Sequence, residues 1–212
     1  MKIRDLATMI LQKQAEISSD KSVLVAVSGI DGSGKGYITD KLVAELNNQD
    51  VHAVSINIDP WLTLPEQRFK RENPGLHFYH HAFGFEDLFQ QLIYPLRQHR
   101  SIYLKATLTG QFGTPFSQIY DFQDVDVIVL EGIFLLKRKL QQNYDLALWI
   151  ECSFETALER ALQRNQENLP PEEIIHDYHT IYFPAQRFHF KVDDPKSAAD
   201  RIYVNDVRRT SC

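Results

Sequence analysis

Apolar residues Ile3, Leu6, Ile10 and Ile17 recur at helical spacing, which predicts an amphipathic helix over residues 3–17 ending in the turn-forming run Ser18-Ser19-Asp20. The pattern then changes. Val23-Leu24-Val25-Ala26-Val27 is continuously apolar and rich in β-branched residues, as expected of a strand buried on both faces of a parallel sheet. Residues 35–48 return to helical spacing, with Ile38, Leu42, Val43 and Leu46 on one face, and 51–58 alternate like a second strand. Together these form a β-α-β unit.

A second helix is expected over 85–98, with Phe85, Leu88, Phe89, Leu92 and Leu96 as its stripe and Pro95 as a kink or early stop. Residues 102–108 and 116–122, separated by the turn-rich 110–115, read as a hairpin inserted before the next core strand. Further strands are expected at 125–130, 146–150 and 202–204, and further helices at 154–165, carrying Leu158 and Leu162, and at 172–181. Alternating strands and helices predict one α/β domain over 1–212, a three-layer sandwich on a parallel sheet of about five strands with the 101–122 hairpin inserted. No internal repeat or low-complexity tract interrupts this pattern.

Composition narrows the function classes. The 212 residues carry 23 Lys+Arg against 28 Asp+Glu, a formal net charge of −5, so no basic footprint for nucleic acid is evident. Cys152 and Cys212 offer no disulfide framework and fit a reducing compartment. The start, Met1-Lys2-Ile3-Arg4-Asp5-Leu6, lacks the apolar core of a secretion signal, and no run approaches the length of a membrane span. A soluble cytoplasmic protein with no membrane partner is expected.

The chemistry starts where the first strand meets the second helix. Gly29-Ile30-Asp31-Gly32-Ser33-Gly34-Lys35 has the spacing of a phosphate-binding P-loop, and it sits between a buried strand and a helix as that loop requires. Glycines let backbone N–H groups curl around phosphate oxygens at a helix N-terminus, and a lysine supplies mobile positive charge for the β- and γ-phosphates. Gly29, Asp31, Gly32, Ser33, Gly34, Lys35, Gly36 and Tyr37 are therefore the candidate nucleotide-binding residues, with Lys35 also assisting transfer. The plainer reading is an ordinary glycine turn before a solvated lysine. One position departs from the motif: Gly36 stands where Ser or Thr would place a hydroxyl on Mg²⁺, which predicts a weakened metal site, and Thr39 lies nearly one helical turn too far to substitute.

Two carboxylates extend the site. Asp59, in Asn57-Ile58-Asp59-Pro60-Trp61, follows the second strand at the end where open α/β sheets bind ligands, the address of a base for an acceptor hydroxyl. It could equally open a turn before Pro60. Glu131, after the apolar third strand, is a candidate metal residue with Asp59, or a solvated strand end. Arg160 and Arg164, four apart on one helix, could close over phosphates from a lid or belong to a salt-bridged face with Glu155 and Glu159.

These stretches, with Asp126-Val127-Ile128-Val129-Leu130-Glu131-Gly132-Ile133 and Ala199-Asp200-Arg201-Ile202, resemble the uridine kinase, phosphoribulokinase and pantothenate kinase group of P-loop kinases. The resemblance implies a P-loop NTPase-type sandwich with a five-stranded parallel core and use of ATP with Mg²⁺. It also implies Asp59 as catalytic base, Glu131 at the metal, and Arg160 and Arg164 in the lid. Where uridine kinases carry Asp-His-Pro-x-Ala-Phe-Asp, whose acidic residue holds ribose hydroxyls, this chain reads Phe78-Tyr79-His80-His81-Ala82-Phe83-Gly84. The carboxylate is replaced, which argues against a ribonucleoside acceptor.

Tyr79, His80, Arg68 and Arg187 are the candidate acceptor contacts, with Tyr182 at the rim; His80 and His81 read equally well as packing or surface residues of a loop. The expectation is an ATP-dependent kinase of a small hydroxyl-bearing molecule, with room for a homo-oligomer. A nucleotide-binding protein with weak or lost catalysis is the alternative. A GTP switch is disfavoured, because no Asn-Lys-x-Asp element is found.

Overall fold

The computed structural model describes residues 2–165 and 168–206. The chain opens with α1 (Ile3–Glu16), β1 (Val23–Gly29), α2 (Lys35–Asn47) and β2 (Ala53–Asn57), followed by a 3₁₀ turn at Asp59–Trp61 and short helices α3 (Pro65–Arg68) and α4 (Pro74–His81). Then come α5 (Phe85–Leu88), a π turn at Phe89–Ile93 and α6 (Tyr94–His99), the hairpin β3 (Ile102–Leu108) and β4 (Phe116–Phe122), and β5 (Val127–Gly132). The last third comprises α7 (Arg138–Gln141), β6 (Leu146–Glu151), α8 (Phe154–Arg164), α9 (Pro171–Asp177), a π turn at Tyr178–Tyr182, α10 (Phe183–Asp193), α11 (Pro195–Ala198) and β7 (Arg201–Val204).

The five core strands pair in parallel in the order β2-β5-β1-β6-β7. Period-2 alternation divides their buried side chains between two helical layers. Val23, Val25, Val27, Val127 and Val129 pack with Leu6, Ile10, Ile38 and Leu42 of α1 and α2. Leu24, Ala26, Ile128 and Leu130 face the other way, against the layer that includes Phe78, Leu92, Tyr178 and Phe183. The predicted three-layer sandwich is the observed one, and the crossing of the order at β1 puts the ends of β1, β2 and β5 side by side.

Three local readings change. Residues 78–81 lie on α4 and not in a loop: Pro74 at the first helical position, after Asn73 in a left-handed conformation (φ 49°), starts a helix that the aromatic run PGLHFYHH does not announce by periodicity. Pro95 does not stop its helix. The Tyr94 N–H reaches back to the Phe89 carbonyl in a π turn, which absorbs the missing donor and ring of the adjoining proline. Pro184 repeats the device: the Phe183 N–H bonds to the Tyr178 carbonyl, and the rod continues through α10, beyond the predicted end at 181.

The hairpin has the predicted spans, in antiparallel register from Ile102 opposite Phe122 to Leu108 opposite Phe116. Its tip is fastened to the body. Arg68, only 3% exposed, donates to the carbonyl of Gly110 at 3.1 Å and to those of Gln111 and Thr63. Thr109 donates to the Leu62 carbonyl, and the Trp61 indole donates to the Tyr120 hydroxyl, each at 3.0 Å. Among the described residues no helix is long and apolar enough to cross a membrane.

Candidate active site

The loop between β1 and α2 wraps the N-terminus of α2, whose first N–H groups lack intrahelical acceptors. Gly32 and Gly34 hold φ of +74° and +81°, and a Cβ on either would meet the Ala157 carbonyl or the Asn205 amide at 2.5 Å. Only glycine fits those two positions. The loop is braced from behind: Arg160 donates to the Ser33 carbonyl at 3.1 Å, and Asn205 donates to the same oxygen at 2.8 Å. The Ser33 hydroxyl is buried without a partner among the described residues. A cradle closed to side chains, an orphaned hydroxyl and a lysine at its rim fit a polyphosphate.

Lys35 is nearly buried, its Nζ 3.9 Å from Glu131 Oε1 at the end of β5. Asn57, the last residue of β2, donates to Glu131 Oε2 at 2.8 Å and accepts the Asp59 N–H at 2.6 Å. One amide therefore spaces the two carboxylates. Burial pushes Glu131 up to about 7; Lys35 opposes this, and Asp59, Asp31 and Asp40 add to it. Asp59 is raised by the desolvating walls of the cleft and by Asp31, against Lys35 and Arg164. Burial works against Asp31 too, but Lys35, Arg164 and the Tyr178 hydroxyl hold its carboxyl below the ordinary value.

The carboxylates of Glu131 and Asp59 are hard oxygen donors of the kind Mg²⁺ takes. No group of three or more His, Cys, Asp or Glu among the described residues could enclose a metal, so phosphate oxygens and water would have to complete such a site. Gly36 faces Glu131: a Cβ there would have Glu131 Oε2 as its nearest neighbour, at 3.9 Å. The space for the missing hydroxyl is present beside the carboxylate.

Asp31, Asp59 and Arg164 open into a cavity of about 530 Å³ walled by Phe69, Phe78 and Phe83 on one side and by Phe112 and Phe116 of the hairpin on the other. The remaining sequence candidates are distributed differently. Tyr37 is 60% exposed on α2, beneath the Lys41 ammonium. Arg164 lies 3.7 Å from Asp31, whereas Arg160 is occupied with the loop carbonyls.

Arg68 lines the cavity, but it spends its N–H groups on the hairpin tip. Tyr79 points away from the cavity, its hydroxyl donating to Asp193 Oδ2 at 2.5 Å. There it joins His189 Nδ1, at 2.7 Å from the same oxygen, while the Arg138 N–H bonds the other. Lys137 seals this cluster, donating to the Tyr79 carbonyl at 2.5 Å from among the rings of Tyr79, Phe85 and Phe134. His80 is exposed and its ring lies beside Phe188; Arg187 stacks over Phe154, 4.8 Å from the ring centre.

The sequence reading missed Asn57, Tyr178, Asn205 and the aromatic walls. Asn57 was findable, a polar residue closing an alternating strand two places before Asp59. Tyr178 was not, because 147 residues separate it from Asp31.

No family model matches the chain. It is 27% identical over 199 residues to a uridine kinase of Ureaplasma urealyticum, covering 92% of this chain and 94% of the relative. It is 25% identical over 167 residues to a uridine kinase of Staphylococcus carnosus, covering 77% and 78%. In fold it matches a possible uridine kinase from Bacillus stearothermophilus with a TM-score of 0.69 and 18% identity over 96% of this chain and 100% of that one. A D-glycerate 3-kinase from Cryptococcus neoformans matches with a TM-score of 0.67 and 12% identity, covering 98% and 96%. The chain is therefore similar to uridine kinases in sequence and shares the fold of solved P-loop kinases.

Proposed function

We propose that this kinase transfers the γ-phosphoryl group of ATP to a hydroxyl of a small metabolite that enters the cavity beneath the hairpin. The observation that carries this reading is the position of Asp59, which shares a wall with the P-loop and a wall with the cavity. An acceptor hydroxyl lying between them would have a base on one side and the phosphate cradle on the other, as in-line transfer needs. Asp59 takes the hydroxyl proton while the oxygen–phosphorus bond forms and the bond to the departing ADP breaks. Lys35 offsets charge on the phosphate oxygens, and Asn57 keeps Glu131 and Asp59 apart. Mg²⁺, held through Glu131 and Asp59, would supply neutralising charge across the β- and γ-phosphates.

The test is ATP consumption with Mg²⁺ against uridine, cytidine, pantothenate, nicotinamide riboside, glycerate and ribulose 5-phosphate, with Asp59→Asn as the blank. Turnover on one compound that is absent from the blank supports the reading. Acceptor-dependent turnover that survives in Asp59→Asn overturns Asp59 as the base.

A further inference from the structure

Thr39, on the second turn of α2, is only 2% exposed, and its hydroxyl has no hydrogen-bond partner among the described residues. A helical threonine ordinarily returns its hydroxyl to a carbonyl three or four residues back, and this one does not. A buried hydroxyl without a partner costs free energy that a valine of the same shape would spare. The residue is therefore not explained by packing alone.

Its address suggests what the hydroxyl serves. Thr39 follows Gly36 by three residues and Lys35 by four, so it shares their face of the helix. Helical side chains lean toward the N-terminus and cover the preceding turn, which here is the turn where Gly36 contributes no side chain. A Cβ at Gly36 would have Glu131 Oε2 as its one neighbour beyond the helix backbone, at 3.9 Å, and the Thr39 side chain stays more than 4 Å from that position. Thr39 sits about 4.5 Å further along the axis than Gly36, too far to bind an ion beside Glu131 directly and near enough for one water to span the gap.

We propose that Thr39 is a positioning residue for the metal: its hydroxyl oxygen accepts a hydrogen bond from a water carried by an ion at Glu131, in place of the direct ligand that Gly36 lacks. The inference deepens the kinase reading and rests on it for the presence of Mg²⁺. That ion commonly keeps several waters beside one or two carboxylates, and the groups that orient its ligands tune its affinity.

Calorimetry of ADP binding with and without Mg²⁺, and the paramagnetic resonance of Mn²⁺ titrated into the chain with ADP, read the metal without turnover. Thr39→Val is expected to weaken Mn²⁺ binding to the ADP complex about tenfold, with metal-free ADP affinity unchanged, whereas Thr39→Ser stays within about twofold of wild type. In a Gly36→Ser background Thr39→Val should cost less than about twofold, because the introduced hydroxyl reaches the ion directly. The denaturant midpoint of metal-free Thr39→Val should equal or exceed that of wild type. Mn²⁺ affinity equal in wild type and Thr39→Val overturns the inference, as does an equal loss in the Gly36→Ser background or a matching loss of metal-free ADP binding. A lowered midpoint, which would mean that the hydroxyl has a partner in the fold, and a wild-type ADP affinity indifferent to Mg²⁺ overturn it too. The expected metal affinities in a chain that phosphorylates no acceptor keep the inference and remove the kinase reading.

Discussion

Two of the buried charge clusters among the described residues are built on opposite principles. Behind the cavity, Asp193 accepts from Tyr79, His189 and the Arg138 N–H, and Lys137 donates to a carbonyl inside an aromatic shell. Burial would raise Asp193, but these three donors hold it below the ordinary value. At the strand ends, Glu131, Asp59 and Asp31 crowd one lysine, and Glu131 is pushed up to about 7 because burial outweighs that lysine. In the first cluster the fold meets both oxygens of Asp193 with donors, and His189 Nε2 is left buried without a partner among the described residues. The second is left with surplus negative charge facing the glycine loop and a cavity, an arrangement that costs stability unless cations offset it. Perturbed titration alone does not separate the two, since Lys137 is shifted as well, to about 8. What separates them is whether the fold supplies its carboxylates with enough donors to offset burial.

The contrast is broken most strongly from the sealed side. Asp193→Ala orphans three donors and should lower unfolding free energy by about 3–5 kcal/mol, read from the denaturant midpoint. ATP affinity of the folded protein should be unchanged. Next comes Asp59→Asn in the open cluster. Turnover should fall by about two orders of magnitude or more with near-normal nucleotide affinity and no loss of stability; an equal loss of binding would mean that Asp59 holds nucleotide instead.

Lys137→Met sharpens the comparison through pH. The Lys137 ammonium is disfavoured in the fold, at about 8 against the ordinary 10.5, so the unfolded chain binds more protons between those values. Its contribution to stability therefore rises as pH passes upward through 8. The wild type should gain about 2 kcal/mol on the variant between pH 7 and pH 10, measured by denaturation at each pH. A flat difference would show that Lys137 is not buried as a charge.

The smallest effect belongs to Gly36→Ser. The new Cβ has room beside Glu131 Oε2, and Mg·ATP affinity should tighten several-fold while metal-free ATP binding stays the same. Equal tightening with and without metal would trace the gain to helix propensity.

Contiguity decided what the sequence could reveal. β1, the loop and α2 are a single stretch whose glycines shape the backbone that carries the lysine, so the fold and the geometry of the loop were legible together. The hairpin was legible because its strands are neighbours in sequence, and Asp59 and Glu131 because strand ends in such a sheet share an address. The wall of the cavity was not, since Phe69, Phe78, Phe83 and Phe112 become one surface only after the hairpin folds onto α3 and α4. Arg68 looked like a ligand contact because a lone arginine in sequence does not disclose that three carbonyls will consume it. His80 and Tyr79 share a helix that aromatic residues obscure, and both rings lie against Phe188, Tyr79 buried and His80 exposed.

The π turn at Tyr178–Tyr182 bears on which changes in chain length this protein can tolerate. In an unbroken α-helix Tyr178 and His189, eleven residues apart, would come within about 20° of the same face. The π turn absorbs one extra residue and rotates α10 by roughly a quarter-turn, so Tyr178 meets the P-loop while His189 meets Asp193. Loss of a single codon between them would leave ten residues, which an unbroken α-helix turns through the same angle that the π turn now provides, so both residues would keep their sides. Such a deletion would be felt through Pro184, left in a regular helix without the π turn that accommodates it.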